Sequence, residues 1–164
     1  MKYGRIHIIG MGISAVMLVI APSNAHAQKA QISGLSDVTF GTIANFSTDL
    51  SSSQNVCVYS SVKSTGRYSV TGTGSGSGGA FTLASGSNTL AYEVQWANSA
   101  NQTSGTSLNP GVALTALSSS ASSATCSSGP TSSASLITVL RTTNIQAANA
   151  GSYTGTLTLL VAPN

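Results

Sequence analysis

The chain of 164 residues carries 6 Lys and Arg, 3 Asp and Glu and 2 His, a formal net charge of +3. Cations so few and so scattered cannot neutralise a run of phosphates, which argues against nucleic acid as a ligand. The same scarcity leaves acid–base and metal chemistry short of the side chains they ordinarily use.

In chain order, the first segment reads as a secretory signal. Lys2 and Arg5 make a short basic region and Ile6 to Ile20 an apolar run. Pro22, Ser23 and Asn24 break it, and Ala25-His26-Ala27 ends it as a small-x-small site. Cleavage between Ala27 and Gln28 predicts a signal peptide over 1–27 and a single mature domain over 28–164. The apolar run is too short for a membrane span, and no later segment is apolar enough to cross a bilayer as a helix. Both histidines, His7 and His26, leave with the signal. What remains is Lys29, Lys63, Arg67 and Arg141 against Asp37, Asp49 and Glu93, a formal charge of +1.

From Gln28 onward the dominant period is two, which is the period of a strand. Val38 and Phe40 alternate with polar neighbours in the first segment. Val56, Val58 and Val62 share one face of the second, with Cys57 and Tyr59 on the other. Tyr68 and Val70 mark a third, and Phe81 and Leu83 a short fourth. Leu90, Tyr92, Val94 and Trp96 point one way while Ala91, Glu93 and Gln95 point the other. Val112 and Leu114 follow the turn Asn109-Pro110-Gly111. Leu136 to Leu140 is nearly all apolar or β-branched, as in a strand covered on both faces. Last, Tyr153, Leu157, Leu159 and Val161 alternate with threonines until Pro163 ends the ladder. No interval reads as a long amphipathic helix, and 144–150 forms one short turn at most. Seven to eight strands at regular spacing predict an all-β, immunoglobulin-like β-sandwich, with a closed barrel as the alternative.

The residues that could carry chemistry read as structural. Cys57 and Cys126 are an even pair in a chain predicted to be exported, which most simply means one disulfide, with two free, buried thiols as the alternative. Two thiolates without histidine make a poor metal site. Asp37, Asp49 and Glu93 lie in three different segments and read as solvated charges rather than a catalytic pair. The serines lack an adjacent activating base. Gly72 to Gly79 lacks the Lys-Ser/Thr ending of a phosphate loop and reads as a flexible connection between strands. No catalytic residue and no cofactor is expected. Ser, Thr, Gly, Asn and Gln cover the surface where most domains place charges, and such a surface tolerates close packing of one subunit on another.

Three stretches of the chain together resemble the spore coat protein U family, which includes subunits of archaic chaperone–usher pili. The first is Leu35-Ser36-Asp37-Val38-Thr39-Phe40-Gly41. The second is Val56-Cys57-Val58-Tyr59 followed by Gly66-Arg67-Tyr68-Ser69-Val70, then Asn88-Thr89-Leu90-Ala91-Tyr92-Glu93-Val94. The third is Ala150-Gly151-Ser152-Tyr153-Thr154-Gly155-Thr156-Leu157-Thr158-Leu159. The resemblance implies a sandwich lacking its final strand, which a neighbouring subunit supplies. It places Tyr153, Leu157, Leu159 and Val161 beside an apolar groove, covered first by a periplasmic chaperone and then by a strand from another subunit. Two features depart from the family's pattern. The opening strand carries no cysteine to pair with Cys57, and only Gln28 to Gln31 precede Ile32 as a donor segment.

The function expected is therefore a structural subunit of a bacterial surface pilus or coat, exported through the periplasm. The alternative is a self-contained secreted sandwich that binds a carbohydrate or another surface ligand, with Trp96, Tyr92 or Tyr59 as stacking residues. For Trp96 the alternating strand favours the core. A secreted hydrolase is the least supported reading. Mass spectrometry of the exported protein is expected to show an N-terminus at Gln28. A mature product that retains Met1 would refute the signal.

Overall fold

A computed structural model of the chain describes residues 27–62 and 65–164. The predicted signal, apart from Ala27, lies outside the described residues, as does Lys63. Among those described, the strands in chain order are β1 (Ala30–Ser33), β2 (Leu50–Ser60), β3 (Arg67–Gly74), β4 (Thr82–Ser85) and β5 (Asn88–Ala91). There follow β6 (Glu93–Ala97), β7 (Thr106–Ser107), β8 (Ala113–Ser118), β9 (Ala134–Leu140), the helix α1 (Thr142–Ala147) and β10 (Leu157–Pro163).

Every pairing among them is antiparallel. One sheet has the order β1-β2-β9-β6-β7, a second has β10-β3-β8, and β4 with β5 forms a separate ribbon. The run β1-β2-β9-β6 is the A-B-E-D order of an immunoglobulin sandwich, and β10-β3 is its F-C pair. That fold carries its G strand on the far side of F. Among the described residues, no strand pairs with that side of β10.

The core lies between the two sheets. Val56, Val58, Tyr68, Val70, Leu90, Val94, Trp96, Leu136 and Leu140 form one buried cluster. Burying each such side chain contributes about 1.5–3 kcal/mol. β9 is buried at every one of its seven positions, as its unbroken apolar sequence predicts. Its outer residues Ile137 and Val139 join Ala97 in a second, smaller cluster. Buried hydroxyls on the same sheet are partnered: Ser133 Oγ donates to the Val58 carbonyl at 2.9 Å and accepts from the Val58 N–H at 2.8 Å. No buried side-chain polar atom among the described residues lacks a partner.

Four expectations are corrected. Val38 and Phe40 do not lie in a strand, because Gly34 at φ +80° turns the chain off the β1–β2 ladder and residues 34–49 run as irregular chain. The strand expected from Leu90 to Trp96 is two strands, broken at Tyr92, whose N–H bonds to the Phe81 carbonyl at 2.9 Å. Its first half pairs with β4 and its second with β9. The glycine run is a packed corner rather than a loose connection. A side chain at Gly74 would collide with the Ala80 carbonyl, so glycine is required by space there. The short turn expected near 144–150 is α1, starting two residues earlier.

Cys57 on β2 and Cys126 in the loop 119–133 form a disulfide, with Cα atoms 5.9 Å apart and both residues buried. It pins a loop of low sequence complexity against β2. There Ser119 Oγ also donates to the Val58 carbonyl, and the Ser133 N–H donates to the Val56 carbonyl at 2.9 Å. Cross-linking a loop of this length stabilises by about 4 kcal/mol in the chain-entropy picture. Alkylation of denatured, unreduced protein is expected to label no cysteine. Calorimetry of Cys126→Ser is expected to show a midpoint lower by about 10 °C.

Candidate functional site

The candidate site is the outer edge of β10. On this strand Leu157, Leu159 and Val161 are half-buried and pack against the core, while Leu160 on the opposite face is 64% exposed. One edge of β10 is closed by β3 in the register Leu157↔Gly74 to Pro163↔Tyr68. The other edge offers a row of backbone donors and acceptors to any strand that approaches.

Tyr153, expected on the same strand, precedes it. Thr154 makes an isolated bridge to Ala84 of β4, with N···O distances of 2.8 and 3.0 Å, and Tyr153 Oη donates to the Asn149 carbonyl at 2.8 Å. Gly155 makes the corner possible. A Cβ there would sit 3.0 Å from Leu83 Cδ2 and from the Thr82 carbonyl. The structure thus groups Leu157, Leu159 and Val161 on β10 and sets Tyr153 against the ribbon.

The aromatic candidates separate cleanly. Trp96 is 1% exposed, its Nε1 donates to Tyr68 Oη at 3.0 Å, and Tyr68 Oη donates to Asn98 Oδ1 at 3.0 Å. The two rings meet edge-on, with centroids 6.4 Å apart. Burial pushes the Tyr68 hydroxyl up to about 12, so it stays a donor at ordinary pH. Trp96 is therefore a core residue, and its candidacy for ligand stacking is withdrawn. Tyr92 is buried as well, tilted against Phe81 at 5.7 Å. Tyr59 remains half-exposed on the outer face of β2, opposite Gln31.

Two of the three carboxylates belong to an ionic cluster that no local motif announces. Arg141 Nη1 lies 2.8 Å from Asp49 Oδ2, and Nη2 lies 2.6 Å from Glu93 Oε2. Asp49 Oδ1 also accepts from the Thr142 N–H at 2.7 Å and from its hydroxyl at 2.8 Å, which caps the start of α1. The Thr142 amide first, and Arg141 with it, hold the Asp49 carboxyl at about 2. Arg141 likewise lowers Glu93, and both carboxylates raise Arg141 in return. A general acid needs its carboxyl raised, so the cluster is poised the wrong way for that chemistry. It fastens the end of the 34–49 segment to β6 and α1.

Other features offer little to a small ligand. A shallow depression lined by Ser107, Leu108, Asn109, Val112, Ala113 and Leu114 holds about 70 Å³. Clefts for drug-sized ligands run to roughly 300–1,000 Å³. Among the described residues, no group of three His, Cys, Asp or Glu is placed to hold a metal ion. No helix among them is long and apolar enough to cross a membrane.

No protein-family model matches the chain, and no curated protein does. Among solved structures it is similar to a chain of a chaperone–tip adhesin complex that is vital for synergistic activation of CFA/I fimbriae biogenesis. The TM-score is 0.52 and the identity 16%, over 84% of this chain and 41% of that one. The likeness is one of architecture, and this chain spans less than half the length of that neighbour.

The ionic cluster sets a pH dependence. Both carboxyls titrate lower in the fold than their usual 3.8 and 4.5, so their contribution is complete above that range and fades as pH falls toward 2. Thermal midpoints are expected to fall between pH 4.5 and 2, with Asp49→Asn flattening the slope. An unchanged slope in that variant would remove Asp49 from the account.

Proposed function

We propose that this chain is a structural subunit of a bacterial surface pilus or coat, assembled by strand complementation and performing no catalysis. The observation that carries the reading is the outer edge of β10, unpaired among the described residues where an immunoglobulin sandwich has its G strand. Leu157, Leu159 and Val161 line its inner side. The architecture shared with a chain of a fimbrial chaperone–tip adhesin complex supports the reading, as do the three segments that resemble spore coat protein U domains.

On this reading the partners are a periplasmic chaperone and other subunits, and the route is export through the periplasm. An incoming strand adds its backbone to β10 and sets alternate apolar side chains against the core. The chain's own start is a poor donor. Ala30 and Gln31 are already paired with Ser60 and Tyr59 in β1–β2. Such a subunit receives a strand without giving one, which is the position of a terminal subunit. The disulfide between Cys57 and Cys126 takes the place of the first-strand bridge common in the resembled family.

Thermal melts with added peptides test this. A peptide from the N-terminal segment of a companion subunit, with apolar residues at alternate positions, is expected to raise the midpoint by about 8 °C at a hundredfold excess over its Kd. The same peptide with prolines at its ladder-bonding positions is expected to do nothing, since proline cannot donate to the ladder. A protein indifferent to every donor would favour the self-contained, ligand-binding sandwich, with Tyr59 as the stacking residue to examine.

A further inference from the structure

The outer edge of β2 is only partly paired. β1 covers Cys57–Ser60, whereas Leu50–Val56 pairs with β9 on the other side and has no strand on its outer edge among the described residues. The chain that leaves β1 passes close by without pairing. Residues 34–49 make no backbone–backbone hydrogen bond among the described residues, and Val38 is 36% exposed.

One contact shows how close the segment is to pairing. The Ser36 N–H and hydroxyl donate to Gln54 Oε1 at 2.9 and 3.1 Å, and Gln54 Nε2 donates to the Ser36 carbonyl at 3.2 Å. Ser33 pairs with Cys57 in β1–β2, and the same register continued past Gly34 sets Ser36 opposite Gln54. A side-chain carboxamide thus engages the backbone at the position where two strands would run side by side.

That register has a consistent inside and outside. The inward positions of β2 include Leu50, Ser52, Gln54, Val56 and Val58. Continued from β1, Val38 falls opposite Ser52 and Phe40 opposite Leu50, both inward, while Leu35, Asp37 and Thr39 face out. The alternation of Val38 and Phe40 with polar neighbours is therefore in phase with the open half of β2. The bond from the Ser61 N–H to the Lys29 carbonyl, 2.9 Å, sets the phase of the ladder. It makes Asp37–Ser53 and Thr39–Ser51 the hydrogen-bonded pairs and Val38–Ser52 a non-bonded, closer pair.

We infer that residues 35–40 are a strand with two positions. In one, seen here, Gly34 turns the segment away and Gln54 holds it. In the other, β1 runs on through Phe40 and closes the outer edge of β2 in the register it has already begun. Docking buries Val38 and gives Asp37 and Thr39 ladder partners. It also leaves β10 as the edge open to a second chain.

Disulfide trapping tests the docked position without any partner strand, so its failure leaves the pilus reading untouched. Val38→Cys with Ser52→Cys places two cysteines across a non-bonded pair, about 4.5 Å between Cα atoms, within reach of a disulfide. The full mature chain carrying both is expected to close this second bridge under air oxidation, with the Cys57–Cys126 pairing confirmed by peptide mapping. The pair Val38→Cys and Ser53→Cys, one residue out of phase, is expected to stay reduced. Adding Gly34→Val is expected to speed closure about tenfold. A Cβ at Gly34 meets nothing closer than 3.9 Å, so valine is opposed there by the backbone angle of the undocked form and not by lack of space. Gln54→Ala, which removes the clasp, is a second way to the same acceleration. The inference fails if the in-phase pair stays reduced, if both pairs close alike, or if neither added substitution speeds closure.

Discussion

Seven consecutive buried residues, Ala134–Leu140, hold the larger sheet together. β9 is hydrogen-bonded along its length to β2 on one side and to β6 on the other. Through β2 it fixes the disulfide and, beyond that, the loop 119–133. Through β6 it fixes Trp96 and so the ring of Tyr68 on the opposite sheet. Arg141 follows its last residue directly, so the strand also aims the guanidinium at Asp49 and Glu93. A polar substitution in β9 would therefore disturb both sheets and the start of α1 at once.

The two sheets treat their edges differently. In the larger one, side chains stand in where strands run out. Ser133 and Ser119 bond to Val58 of β2 just past the end of β9, on the edge that β9 pairs with, and Gln54 engages Ser36 on the other side. Asn101 in the loop before β7 exchanges side-chain and backbone bonds with Asn55, at 2.7 Å each. Hydroxyls and carboxamides are thus the edge protection of a chain with few charges to spend on it. Among the described residues, no strand and no side-chain hydrogen bond covers the outer edge of β10. That contrast gives the subunit reading its physical content.

Much of this was legible in the residues, for reasons that can be named. β9 was legible because a strand buried on both faces must be apolar throughout. The inward set Leu90, Tyr92, Val94 and Trp96 was legible because burial follows the alternation of side chains along a strand. The disulfide followed from an even count. The break at Tyr92 was not legible, because alternation reports which way side chains point and not which strand they pair with. Val38 and Phe40 alternate like a strand, yet the turn at Gly34 depends on a local backbone choice that the pattern does not carry. The helix α1 is capped by Asp49 from 93 residues away, and the two ion pairs of Arg141 span 92 and 48 residues. Such contacts leave no local signal. Nor did Tyr153 reveal that it stops short of β10, since the corner at Gly155 is set by packing against Leu83.

The bridge between Cys57 and Cys126 also has a mechanical side. The two cysteines are separated by 69 positions, and the bond takes the residues between them out of the path along which tension travels. At roughly 3.3–3.6 Å per extended residue, about 240 Å of chain cannot be drawn out while the bridge is intact. β3, the strand paired with β10, and β8, which pairs with β3 in turn, both lie inside that protected length. A molecule pulled from its two ends would lengthen by the remaining fraction and keep the loop closed. Under tension, that is a built-in limit on stretch.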